Sequence, residues 1–286
     1  MRWKKGRRSD NVVDARGRTG GIGGGRLSLA GVAIVVVIGL LSGQDPMQIL
    51  GQLANQTGQA PTQQSSAPAN ADDPQVAFVQ SILGDTEDTW RALFQQSGEQ
   101  YQDPKLVLFR GGVNSACGFA SSAAGPFYCP GDRQVYLDLQ FFDEMAKRFS
   151  VAGDFAQAYV IAHEVGHHVQ TLLGVSQQMQ SARQRGAKME GDNGLLVRQE
   201  LQADCFAGVW AYHAQQRHDW LEEGDLEQAL KAANAIGDDH LQKQSQGRVV
   251  PDAFTHGTSA QRVRWFRTGF ENGEPARCDT FQASRL

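Results

Sequence analysis

The interpretation of this chain depends most on the stretch Ala162-His163-Glu164-Val165-Gly166-His167-His168-Val169-Gln170. It carries the pattern His-Glu-x-x-His within Asp154–Leu173, a segment with helical apolar spacing that ends before Gly174. Residues four apart lie on one face of a helix, so His163 and His167 can present imidazole nitrogens to one metal ion. Glu164 lies on an adjacent face, where a general base acting on a metal-activated water is expected.

The apolar residues around this motif indicate that the helix is buried. The alternative is a pair of surface histidines beside a solvated glutamate. Buried histidines and a buried glutamate need partners, and a metal ion supplies them. The expected burial therefore favours a metal site. The apolar residues from which burial is inferred are Tyr159, Val160, Ile161, Val165 and Val169.

A catalytic zinc ion needs three protein ligands and one open position, so a third ligand is expected from another element. The segment Glu200-Leu201-Gln202-Ala203-Asp204 lies in a predicted helix, Leu195–Gln216. Glu200 is the predicted third ligand, and Asp204, one turn later, can accept the other ring N–H of a ligating histidine. An isolated Glu-Asp pair would be a solvent-facing acidic pair, but here it follows His-Glu-x-x-His. The small residues Ala203, Ala207 and Gly208 would let the two helices approach closely.

With His-Glu-x-x-His and a later Glu-x-x-x-Asp, the chain resembles zinc peptidases of the gluzincin type. It is more closely similar to the neutral zinc metallopeptidase family of bacterial membrane-anchored proteins. The similarity runs over about residues 135–266, in the segments VYLDLQFF, AHEVGHHVQ, ELQADCFAGVWA and THGTSAQRVRWF. The resemblance implies a zincin-like fold, one catalytic Zn²⁺ held by His163, His167 and Glu200, and Glu164 as the base.

Two further site residues come from resemblance to membrane-bound gluzincins, in which a Thr-His segment and an arginine-bearing helix lie near the active site. His256 is accordingly predicted to donate a hydrogen bond to the reaction oxyanion, and Arg262 to brace the site. His256 is equally compatible with a loop histidine that precedes a helix. The same resemblance predicts that the strand Val135–Leu139 is a sheet edge that pairs with extended substrate.

The chain has 286 residues, of which 41% are hydrophobic, enough for one sizeable domain or two small ones. A few strands followed by a run of helices predict an α+β class, mostly helical with a small sheet and preceded by one transmembrane helix.

His168 points about 100° away from His167 and is expected behind the ligands or at the surface. His213, His218 and His240 are expected at the surface. Besides the segments above, helices are predicted over 76–94, Phe141–Phe149, Asp225–Ile236 and Thr258–Phe270, and strands over Lys105–Arg110 and Gln134–Leu139.

The amino-terminal region predicts a membrane anchor. Residues 1–26 carry eight Lys and Arg against two acidic residues, and an uncharged apolar run of 15 residues follows. We expect a basic cytoplasmic tail over 1–26, a signal anchor in the lipid bilayer over 27–43, a flexible linker over 44–73 and the peptidase domain over 74–286. This describes a single-pass protein of the bacterial inner membrane with its catalytic domain outside the cytoplasm. A cleaved signal peptide and a buried core helix are the alternatives, and no nucleic-acid partner is expected.

The four cysteines indicate disulfides, because their number is even and none lies in a Cys-x-x-Cys pair. Cys117 and Cys129 flank the loop Gly118–Tyr128 and form the natural pair. Cys205 and Cys278 follow by elimination. The alternative for Cys205 is a small buried hydrophobic residue without a partner.

The predicted function is that of a membrane-anchored zinc endopeptidase acting on peptide or protein substrates. One alternative is a catalytically silent protease-like domain that binds protein partners or acts as an assembly factor. The intact Glu164 argues against it, because a silent site has little chemical use for a general base. A second alternative is a structural protein with incidental histidines.

Overall fold

The computed structural model describes residues 1–17, 72–121, 125–149, 151, 153–246 and 248–286. All of these belong to one compact unit. The predicted anchor 27–43, and the linker up to residue 71, lie outside the described residues. Strands are β1 (Val12–Asp14), β2 (Lys105–Phe109), β3 (Gly112–Ser115), β4 (Gly118–Ser121), β5 (Phe127–Cys129) and β6 (Gln134–Asp138). Helices are α1 (Pro74–Gln96), α2 (Gln140–Phe149), α3 (Asp154–Leu172), α4 (Val175–Gln184), α5 (Leu195–His218), α6 (Asp225–Ala235), α7 (Asp238–Gln246) and α8 (Ser259–Asn272).

The mostly helical α+β class with a small sheet is confirmed. The main sheet has the order β1-β2-β6-β5, in which β1, β2 and β6 are parallel and β5 is antiparallel to β6. Strands β3 and β4 form a separate hairpin. β4 and the first two residues of β5 therefore lie within the segment Gly118–Tyr128, which was predicted to be a loop.

The prediction that Val135–Leu139 forms a sheet edge is wrong. These residues lie in and just after β6, which is hydrogen-bonded to β2 on one side and to β5 on the other. Over Gln134–Tyr136 both flanks of β6 are hydrogen-bonded within the sheet, so this part of the strand has no free edge for a substrate. The strand at this end of the sheet is β5.

Helix boundaries follow local signals that the sequence carries. Helix α1 begins after Asp73, whose side chain accepts a hydrogen bond from the backbone N–H of Gln75. Helix α8 begins with a capping box, in which the side chains and backbones of Thr258 and Gln261 satisfy each other. Gly174, just after α3, has a positive φ of 80°, which glycine adopts without strain. Helices α4 and α7 were not predicted, because both are mostly polar and lack a clear apolar repeat.

The core is built around α3 and α5, which cross closely because of one glycine. A Cβ atom on Gly166 would lie 2.9 Å from the backbone oxygen of Ala203. Gly208 does not face α3 as expected. A Cβ there would lie 2.1 Å from the backbone oxygen of Phe266, so Gly208 allows the approach of α5 and α8.

The predicted localisation is contradicted. Within the described parts of the chain, every helix is too short or too polar to cross a bilayer. The predicted topology also separates residues 1–26 from the catalytic domain by a membrane. Instead, β1 pairs with β2 of the domain, and the Arg2 backbone N–H donates to the Trp220 carbonyl at 2.9 Å. The described residues 1–17, here called the amino-terminal arm, are thus part of the domain and not a separate tail.

Both predicted disulfides are confirmed. Cys117 is bonded to Cys129, which joins the hairpin of β3 and β4 to β5. Cys205 is bonded to Cys278, 73 residues later, which joins α5 to the carboxy-terminal segment. Cys205 is therefore not an unpaired buried residue.

Candidate metal centre

Three side chains from two helices converge on one point. His163 and His167 come from α3 and Glu200 from α5. Glu200 Oε2 lies 3.1 Å from His163 Nε2 and 3.4 Å from His167 Nε2. One ligand atom from each residue lies within 4.8 Å of the other two, so the group could hold a metal ion. Helix α3 brings the two rings together by its periodicity, and the crossing at Gly166 brings Glu200 to them.

Asp204 contacts the ring nitrogen of His163 that does not face Glu200. Its Oδ1 atom accepts the Nδ1–H of His163 at 2.8 Å, which leaves Nε2 facing Glu200. The same carboxylate accepts the hydroxyl of Tyr159 at 2.5 Å and Arg262 Nε–H at 2.8 Å. Asp204 and Arg262 are both buried, so this carboxylate is compensated by a guanidinium and two further donors.

These contacts set the protonation of the buried groups when no metal is present. Burial alone would lower the pKa of His163, but the charge and hydrogen bond of Asp204, with the hydrogen bond of Glu200, raise it to about 10. Burial alone would raise the pKa of Asp204, but the charges of Arg262 and His163 lower it to about 2. Asp204 is therefore a carboxylate across the physiological pH range.

His167 is held differently. Its Nδ1 atom lies 2.9 Å from Gln170 Oε1, three residues later on the same helix. A neutral amide, rather than a carboxylate, thus faces this ring on the side away from Glu200. The two candidate histidine ligands therefore have unequal surroundings, one anionic and one neutral.

A cavity of about 490 Å³ opens on this group. Glu164, His256 and Arg262 all line it together with the candidate ligands. Glu164 is largely buried, and it follows His163 directly on α3. The residues that the sequence nominates for catalysis and for metal binding thus share one cavity, although Arg262 contacts Asp204 and Tyr159 behind the ligands.

Asp238, at the start of α7, orients His256. One oxygen of Asp238 accepts the backbone N–H groups of Thr255, His256 and Gly257 at 2.7, 2.6 and 3.0 Å. The other lies 3.3 Å from His256 Nδ1, which also lies 2.9 Å from Thr255 Oγ1. The side chain of His256 is 51% exposed, and its hydrogen bond with Asp238 outweighs the effect of its partial burial and raises its pKa.

The donor set fits zinc. Two imidazole nitrogens and one carboxylate oxygen are the ligands found in catalytic zinc sites, which keep a fourth position open. The other side of His163 is held by a carboxylate and that of His167 by an amide, as is usual for ligating histidines. The cavity borders all three candidate ligands.

Sequence reasoning missed three residues of this centre. Tyr159 lies four residues before His163 and Gln170 three residues after His167, so helical spacing from the motif could have indicated both. Asp238 is separated from His256 by 18 positions, and no local pattern connects the two.

The remaining histidines lie outside the centre. His168 is buried and lies 2.6 Å from the backbone oxygen of Gln102, to which its Nε2–H can donate. His218 is only partly exposed, lies 2.9 Å from the buried Asp85 and stacks on Trp220. His213 is half-buried, 2.9 Å from the Gly273 carbonyl, and only His240 of the three predicted surface histidines is exposed.

Comparison with known proteins agrees with this geometry. A family model described as "Putative neutral zinc metallopeptidase" matches residues 1–281. The uncharacterized protein YpfJ of Escherichia coli K12 is 50% identical over 291 residues, which cover 99% of this chain and 100% of that protein. The uncharacterized protein Rv2575 of Mycobacterium tuberculosis H37Rv is 45% identical over 219 residues, 73% of each chain. No solved structure matches the chain.

Proposed function

Because this chain belongs to the neutral zinc metallopeptidase family, we propose that it is a zinc-dependent endopeptidase with Glu164 as its general base. The observation that supports the proposal most strongly is the convergence of His163, His167 and Glu200 on one point at the cavity that Glu164 lines. His163 and His167 would bind the ion through Nε2, and Glu200 through a carboxylate oxygen.

Zinc bound there supplies Lewis acidity toward a water molecule and toward a substrate carbonyl. Glu164 accepts the proton of the attacking water and then donates it to the leaving amine. His256, oriented by Asp238, donates a hydrogen bond to the oxyanion that develops on the carbonyl oxygen. Asp204 keeps the Nδ1–H of His163 in place, so that Nε2 stays available as a ligand.

The cavity is suited to an extended peptide with an apolar side chain. Strand β5 lines it through Phe127 and Tyr128 and ends the sheet, so a substrate strand can pair with it. Apart from the candidate ligands, the acidic and basic side chains along the lining are Glu164, His256 and Arg262, and Arg262 is already paired with Asp204. An apolar wall lies beside them, formed by Phe127, Phe141, Val160, Ile236 and Leu241.

The test combines zinc analysis with hydrolysis of a generic unfolded protein. The wild-type protein is expected to contain one zinc ion per chain and to cleave the substrate. Glu164→Gln should keep the zinc ion but lose about 10²–10⁴-fold in rate, because it removes the group that moves the proton. His163→Ala should lose the zinc ion.

Glu223→Gln is the matched control, since Glu223 is exposed and outside the cavity lining. It should keep both zinc and activity. A wild-type protein without bound zinc would rule out the metal site. Retained hydrolysis in Glu164→Gln would rule out Glu164 as the base, and zinc binding without hydrolysis in the wild type would indicate a silent protease-like domain.

A further inference from the structure

A chain of hydrogen bonds runs from His167 away from the metal position. Gln170 Oε1 lies 2.9 Å from His167 Nδ1, and Gln170 Nε2 donates to Gln202 Oε1 at 3.0 Å. Gln202 Nε2 in turn donates to the backbone carbonyl of Cys278 at 3.0 Å. Gln170 and Gln202 are both buried, so these amides exchange hydrogen bonds with protein and not with water.

The orientation of both amides is imposed by backbone carbonyls, which can only accept hydrogen bonds. Gln170 Nε2 also donates to the Gln199 carbonyl at 2.7 Å. Rotating the Gln170 amide by 180° would place its oxygen against that carbonyl, and rotating Gln202 would do the same at Cys278. Each rotation would leave buried acceptors facing one another, which is costly.

The oxygen of Gln170 must therefore face His167, which requires Nδ1 to carry the hydrogen and leaves Nε2 on the side of Glu200. We propose that Gln170 and Gln202 form an amide relay, anchored on the Cys278 carbonyl, that positions His167 for zinc. The inference rests on the proposed zinc site. The Cys205–Cys278 disulfide holds the last member of the relay against α5.

The relay is tested by the zinc dissociation constant, measured by competition with a chromophoric chelator. Gln170→Met keeps the length of the side chain but removes its oxygen and nitrogen. It should raise the zinc dissociation constant about 10–100-fold, the range for removing a group that supports a ligand. Gln202→Met leaves the Gln170–Gln199 bond in place and should give a smaller increase.

Gln80→Met is the matched control, because Gln80 is a buried glutamine on α1 outside the relay. Its zinc dissociation constant should equal that of the wild type. The unfolding of the zinc-free variants is measured in parallel, since a purely structural role would lower stability without changing zinc affinity. A dissociation constant for Gln170→Met or Gln202→Met equal to that of Gln80→Met would overturn the relay.

The wild-type protein separates this outcome from failure of the proposed function. If the wild type binds zinc and hydrolyses protein while the relay variants bind zinc equally well, the function stands and the relay is wrong. If the wild type binds zinc and does not hydrolyse, the proposed function fails, while a weakened zinc affinity in the variants still supports the relay.

Discussion

At the scale of single residues, the centre depends on what lies behind the side chains that face the cavity. His163 is held by a carboxylate, His167 by an amide and His256 by a second carboxylate, Asp238. Each partner selects which ring nitrogen carries a hydrogen. Mutations at these partners should change proton and metal affinities and leave the composition of the cavity wall intact.

The Asp238–His256 pair predicts a pH dependence. Asp238 raises the pKa of His256, so the protonated ring persists to higher pH, and its contribution is lost as pH rises through that pKa. Asp238→Asn should lower the pKa and move the alkaline limb of kcat/KM to lower pH. At acidic pH the variant should approach the wild type. At alkaline pH it should approach His256→Ala, which should cost about 10²–10³-fold in kcat.

Profiles of kcat/KM against pH for the wild type, Asp238→Asn and His256→Ala provide the measurement. His256→Ala serves as the reference because it has no alkaline limb from this group. Superimposable limbs in the wild type and Asp238→Asn would contradict the assignment. The pKa of His256 is also raised by Glu200 and lowered by Arg262. Neither of these two residues is changed in the variants compared.

At the scale of elements, the distance between α3 and α5 determines whether a third ligand reaches the two histidines. Gly166 lies between His163 and His167 in sequence and faces Ala203 of α5. Glu200 precedes Ala203 by three residues, so the close contact lies within one turn of all three candidate ligands. A small residue at this crossing is therefore a requirement of the centre as well as of the core.

Gly166→Ala should push these helices apart. The new Cβ would lie 2.9 Å from the Ala203 oxygen and 3.1 Å from its Cα. Overpacking of this kind costs about 1–3 kcal/mol, partly offset by the higher helix propensity of alanine, about 1 kcal/mol. We expect lower stability to urea and weaker zinc binding. Gly17→Ala is the control, since its Cβ would meet nothing within 4 Å, and equal zinc affinity in both variants would contradict the argument.

At the scale of the whole molecule, the amino-terminal arm completes the domain although residues 18–73 separate it from α1 in sequence. The side chain of Glu87, on α1, is 1% exposed and carries much of this contact. It accepts hydrogen bonds from Arg7 at 2.6 Å, Ser9 at 2.5 Å and Asn11 at 2.8 Å. β1 follows directly and extends the sheet beside β2.

Glu87→Gln should loosen the arm selectively. The amide cannot accept from all three donors, and hydrogen bonds to a charged group contribute about 1.5–3 kcal/mol each. Hydrogen exchange of the β1 amides should quicken, while that of α3 and α5 stays slow. Asp88→Asn is the comparison variant, and it should loosen β1 less, because Asp88 is more exposed and contacts only Arg7 among the arm residues. Unchanged exchange in β1 would show that Glu87 does not hold the arm.

Elements and residues with local signals could be predicted from the amino-acid sequence. His-Glu-x-x-His and Glu-x-x-x-Asp follow helical periodicity, so the faces that carry His163, His167, Glu200 and Asp204 could be predicted. Caps and apolar spacing placed six of the helices within a few residues, and the cysteine count led to both disulfides.

Features that depend on long-range contacts could not be predicted and became visible in the folded domain. The pairing of β1 with β2 and the position of β6 inside the sheet reverse two predictions, because a strand's neighbours are set by distant segments. The amide relay at His167 and the contact of Asp238 with His256 likewise connect residues that are distant in sequence. Periodicity indicates which side chains share one face of a helix or strand, but it does not indicate which other segment packs against that face.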